Sequence, residues 1–134
     1  MTQGARAVQT SILEKFEHAD ISVTIVWIRM LPNDTLEAAS MAAGALTDSR
    51  VRHFFDPERQ AGQAIASSLR WDGQTARDTY LFYAPGQQWE ELPPPPVDYA
   101  HQLTNAWADR DRLKIAGDLV DYLNATTMNL FGIL

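Results

Sequence analysis

The spacing of apolar positions switches repeatedly between helical and extended periods along the chain. Ala5, Val8, Ile12 and Phe16 form one stripe at helical spacing, so an amphipathic helix is predicted over residues 4–18, ended by Ala19-Asp20. Residues 22–30 (Ser-Val-Thr-Ile-Val-Trp-Ile-Arg-Met) are β-branched and almost continuously apolar. That pattern predicts a strand buried on both faces, as in a parallel sheet covered by helices. Asp34 follows as a candidate N-cap, with Glu37 placed to complete a capping box. The helix it opens should run from Thr35 to about Leu46, with Leu36, Ala39, Ala43 and Leu46 inward.

Residues 50–55 alternate, with Val51, His53 and Phe55 on one face of a second strand. Asp56-Pro57-Glu58 then reads as cap, first-turn proline and dipole-complementing acid for a helix carrying Ala61, Ala64, Ile65 and Leu69 inward. Thr79–Ala84 is a third strand. Pro85-Gly86 turns it toward a fourth at about Gln88 to Leu92, which would make an antiparallel hairpin. Pro93–Pro96 lack amide donors and form a stiff loop, although such a run is also a ligand type for aromatic-lined grooves. Residues 98–104 read equally as an edge strand or a loop. Asp109 or Asp111 should cap a last helix with Leu113, Ala116, Val120 and Leu123 inward.

Helices alternating with strands, then two consecutive strands and a helix, predict an α/β layer fold with a mixed sheet. The length of 134 residues suits one domain. Scaling of surface with mass sets its folded surface at about 7,000 Å², enough burial to need no disulfide or metal. The 17 acidic residues outnumber 11 basic ones. The resulting net charge opposes nonspecific binding to nucleic acid or to anionic lipid. Zero cysteine removes disulfide frameworks, thiolate metal sites and thiol catalysis together. The first residues lack the apolar segment of a secretory signal, and Glu14, Glu17 and Asp20 spoil a mitochondrial presequence. No apolar run reaches the ~20 residues of a membrane span. A cytoplasmic location is the expectation.

Two strings carry a family resemblance. Val26-Trp27-Ile28-Arg29-Met30-Leu31-Pro32-Asn33-Asp34 and Arg50-Val51-Arg52-His53-Phe54-Phe55-Asp56-Pro57 are similar to a group of bacterial thioredoxin-like proteins of unassigned function. The resemblance covers about residues 21–125. It implies a thioredoxin-like three-layer α/β/α fold with a mixed four- to five-stranded sheet. It also implies one domain over 1–134, with residues 1–20 as an added helix and 126–134 as an apolar tail. The redox Cys-x-x-Cys of a thioredoxin would fall at Met30–Thr35, where no thiol stands. The cis-proline of that fold would fall near Asp78-Thr79, where no proline stands. Disulfide exchange is therefore out of reach.

Candidate chemistry gathers at the same corner. Arg29, Met30, Pro32, Asn33, Asp34 and Thr35 surround a helix N-terminus whose free N–H groups suit an anion or a ligand thiolate. Against this, Asp34 as cap would itself hold the anion position. His53 and Asp56 are a secondary candidate acid/base pair, although a hydrogen-bonded core histidine is the plainer reading of His53. No histidine pair has metal-ligand spacing, and no phosphate-binding loop or nucleophile elbow occurs, so no metal or cofactor is expected. Glu90-Glu91 would point to opposite strand faces, which is wrong for shared acid/base work.

The leading expectation is a binding or interaction module for a protein or small molecule, without redox activity. One alternative is glutathione-transferase-like chemistry, with Thr35 orienting a thiolate. The other is a homodimer assembled through Met128–Leu134, a segment too apolar to leave in water.

Overall fold

The computed structural model describes residues 2–131. Its elements run α1 (Thr2–Val8), a π-helical turn (Gln9–Leu13), β1 (Val23–Ile28), α2 (Leu36–Gly44), β2 (Val51–Asp56), α3 (Gln60–Ser68), β3 (Thr79–Phe82), β4 (Asp98–His101), a 3-10 turn (Arg110–Arg112) and α4 (Gly117–Phe131). The fold is mixed α/β. β1 and β2 pair in parallel, with Val23 opposite Val51 and Ile28 opposite Asp56. Parallel neighbours need a crossover, and α2 provides it. β3 and β4 pair antiparallel, with Thr79 opposite His101. The four described strands therefore form two separate two-stranded sheets. This corrects the expected single mixed sheet of four to five strands. The accessible surface of 8499 Å² exceeds the expected ~7,000 Å², in keeping with sheets that leave edges uncovered.

Two apolar clusters hold the layers. Ile12, Phe16 and Ile21 meet Leu119 and Leu123 of α4, with Met128 and Phe131 packed against them. The first residues of the apolar tail thus continue α4 and bury against their own chain, while 132–134 lie outside the described residues. The second cluster joins Ile65, Ala66 and Leu69 of α3 to Trp71, Ala76, Leu103 and Ala108. Gly62 lets α3 approach this region closely. A Cβ there would lie 2.6 Å from Thr75 Cγ2 and 3.1 Å from the Ala76 carbonyl, which accepts no such crowding.

Several local expectations are corrected. The predicted helix over 4–18 is α-helical only to Val8 and then widens into the π turn. Gln88–Leu92 is not a strand. Pro93–Pro96 offer no ladder donors, so pairing with β3 resumes only after the last of them, where the Val97 amide donates to the Phe82 carbonyl at 2.8 Å. The last helix begins well after Asp111. Leu113 bridges to His101 and the Lys114 amide donates to the His101 carbonyl, so the chain runs beside β4 before Ala116 reverses it with a φ of 51°. Leu36 and Val120, expected inward, are exposed. β1 is buried only in part: Trp27 is enclosed while Thr24 faces solvent.

Arg50 is an internal clamp. Its guanidinium donates to the carbonyls of Leu13, Phe16 and Ala19 at 2.9, 2.8 and 3.1 Å. It also forms a forked pair with the Asp48 carboxylate at 3.0 and 2.8 Å. The Phe16 and Ala19 carbonyls also accept from the amides of Ala19 and Ile21, both at 3.0 Å, so the guanidinium shares them with the backbone as it ties the end of the N-terminal helical segment to the start of β2. Bonds from the Arg50 side chain and backbone amide hold the Asp48 carboxyl down at about 2, well below its usual 3.8.

Candidate functional site

Parallel neighbours end on the same side, so the loops leaving β1 and β2 converge, and ligands of open α/β sheets bind outside those carboxyl ends. The converging loops enclose a cleft of about 480 Å³ lined by Arg29, Met30, Leu31, Pro32, Pro57, Glu58, Arg59 and Gln63. Its size falls within the ~300–1,000 Å³ of small-molecule sites.

The walls are held by side chains gripping backbone. The Arg29 amide donates to the Asp56 carbonyl at 3.2 Å and extends the strand ladder by one residue. Asp34 Oδ2 accepts from the amides of Met30 and Leu31 at 3.0 and 2.8 Å, closing the turn on itself. Opposite, Asp56 is buried and its two carboxylate oxygens accept from the amides of Gln60 and Gly62 at 2.9 and 3.0 Å. Asp56 thus caps α3 as its sequence context predicts, but from four residues before Gln60. Pro57 and Glu58 lie in the connecting turn instead of the first helical turn.

Arg59 crosses from one wall to the other. It adopts a left-handed backbone (φ 61°, ψ 24°), uncommon for a residue with a side chain and worth a functional question. Its Nε donates to the Arg29 carbonyl at 2.8 Å and an Nη to the Met30 carbonyl at 3.0 Å. The guanidinium is therefore fixed in orientation but keeps its charge. Arg29 makes one long contact, 3.5 Å to the Pro32 carbonyl. Among the described residues neither arginine has a carboxylate within ion-pair distance.

Of the residues singled out from sequence, the structure brings Arg29, Met30 and Pro32 to the cleft, while Asn33, Asp34 and Thr35 do not line it. The cap of α2 is Thr35, not Asp34. Thr35 Oγ1 accepts from the Ala38 amide at 3.1 Å, whereas the Asp34 carboxylate is turned back to Met30 and Leu31. No hydrogen bond joins His53 to Asp56. His53 Nδ1 accepts from the Trp27 indole at 3.1 Å and its Nε2 lies 3.0 Å from the Leu46 carbonyl. The ring thus ties β1, β2 and the end of α2 together, with its proton on Nε2 facing that carbonyl. Pro57, Glu58, Arg59 and Gln63 escaped sequence reasoning. The available signal was their position directly after β2, whose partner strand ends in Arg29.

A smaller cleft of about 270 Å³ lies among Ser68–Arg70, Pro95–Tyr99, Asp109 and Arg112. Its charges are largely matched internally. Arg112 pairs with Asp98 and lies 4.3 Å from the centre of the Tyr99 ring, and the Tyr99 hydroxyl donates to Asp109. Burial and the Asp109 carboxylate push the Tyr99 phenol up to about 12, so it remains a donor at neutral pH.

Among the described residues no helix is long and apolar enough to cross a membrane. Nor does any group of three or more His, Asp or Glu side chains in that range stand ready to hold a metal ion. No family model, curated protein or solved structure matches the chain.

Proposed function

We propose that this protein is a thioredoxin-like binding module without redox chemistry, and that its ligand site is the cleft at the carboxyl ends of β1 and β2. The observation carrying this reading is the cleft itself. It includes Met30 to Pro32, part of the segment to which the resemblance assigns the redox motif of a thioredoxin, and it presents arginine, methionine, leucine and proline in place of thiols. Support for the family comes from the order of elements. A parallel β1–α2–β2 unit, a connecting α3, an antiparallel β3–β4 pair and α4 follow the thioredoxin order, although the two halves do not share strand hydrogen bonds. Support for binding over catalysis comes from the neighbouring polar groups. Asp34, Asp56, Thr35 and His53 are each engaged in backbone or ring hydrogen bonds, and the one carboxylate that lines the cleft, Glu58, has no histidine or second carboxylate beside it among the lining residues.

A screen of neutral and charged fragments by amide chemical shifts tests the proposal. Binders should converge on residues 29–32 and 57–63. Convergence on the Arg70–Arg112 cleft, or hits scattered over the surface, would overturn it.

A further inference from the structure

We infer that the cleft selects an organic anion, a carboxylate on an apolar body, and that Arg29 is its specificity-determining contact. The inference rests on the preceding reading of the cleft as the ligand site. Three observations carry it. First, the charge is uncompensated: two guanidiniums face a single lining carboxylate, Glu58, leaving one net positive charge in a chain of net charge −6. Glu58 itself is turned toward the Gln60 side-chain amide, 3.5 Å away. Second, the two arginines divide the work. Arg59 is immobilised on the carbonyls of Arg29 and Met30, so its remaining N–H groups are pre-oriented. Arg29 has only the long contact to Pro32 to give up, so little is lost when it turns onto a ligand. A planar fork of this kind matches a carboxylate in two parallel charge-assisted bonds. Third, Met30, Leu31, Pro32 and Pro57 offer apolar surface beside the charges, and Leu31 is 60% exposed.

The neighbouring carboxylates do not compete for these guanidiniums. Asp34 and Asp56 are occupied by amides. Nor are the helix N-termini the anion site, since Thr35 caps α2 and Asp56 caps α3.

The test titrates the full chain with sodium hexanoate, 1-hexanol and sodium phosphate at constant ionic strength, reading amide shifts. Hexanoate should saturate shifts at 29–31 and 58–63, with hexanol and phosphate both weaker. Arg29→Gln should weaken hexanoate by about tenfold, the loss of a charged hydrogen-bonding partner. Arg110→Gln, outside the cleft, should leave it unchanged. Hexanol binding the cleft as well as hexanoate would overturn the anion inference while leaving the binding-site reading intact. Phosphate binding more tightly than hexanoate would overturn the apolar-body part. An unaltered affinity in Arg29→Gln would remove that residue's role. No saturable shift at the cleft with any probe would overturn this inference, and the binding-site reading then depends on the fragment screen.

Discussion

The two ends of the parallel β1–β2 pair carry the same side-chain chemistry put to opposite use. At the entering end, Arg50 is paired with Asp48 and bonded to three carbonyls of the N-terminal helical segment. At the leaving end, Arg59 is bonded to two carbonyls but has no carboxylate, and Arg29 is nearly unbonded. A guanidinium whose charge and donors are both satisfied holds structure together. One whose charge is left open beside a cleft is available to a ligand. The difference lies in what each end brings near the arginine, which its residue type does not reveal.

Replacing Arg50 should break this comparison with the largest effect. Arg50→Met removes the guanidinium's bonds to the Leu13, Phe16 and Ala19 carbonyls and to the Asp48 carboxylate, and is expected to lower unfolding free energy by about 2–3 kcal/mol, measured by urea denaturation. Asp56→Ala probes the leaving end. It removes the acceptors of the Gln60 and Gly62 amides, one of them buried, and should lower stability by about 1–3 kcal/mol. Equal losses in Arg50→Met and Arg29→Gln would erase the distinction between the two ends.

Acid sharpens the same contrast. Asp48 titrates at about 2 in the folded chain against 3.8 unpaired. A depressed carboxyl adds stability above the unfolded value and loses it as pH falls toward the folded one. Stability should therefore decline between about pH 4 and pH 2 in the native chain, and less steeply in Asp48→Asn, as read from thermal melts across that range. The smallest effect belongs to Arg29→Gln, whose unfolding free energy should stay within about 0.5 kcal/mol of the native chain. A larger loss would mean that Arg29 is structural after all.

Legibility from sequence followed the range of the interaction concerned. The strand at Val23–Ile28, the alternation of Val51, His53 and Phe55, and the helix after Asp56 were readable because a neighbour within a few residues decides them. α2 was harder. It is rich in alanine, so its inward face was ambiguous, and Leu36 and Met41 point to solvent while Ala39 is buried. The expected hairpin failed because its second strand was placed before the prolines, whereas the partner of Thr79–Phe82 is Asp98–His101, on the far side of them. Half of the cleft, Arg29 to Pro32, was singled out by its place after a strand. The other half, Pro57 to Gln63, entered only through strand pairing.

Local propensity and composition thus determined the order of elements, the capping role of Asp56, and the absence of thiol chemistry in a chain with no cysteine. Tertiary structure alone decided that the sheet divides in two, that Arg50 is clamped while Arg29 is open, and that two loops separated in sequence share one cleft. The reason is physical. Capping and periodicity act over one or two turns, whereas the partner of a charge is chosen by packing among segments far apart in the chain.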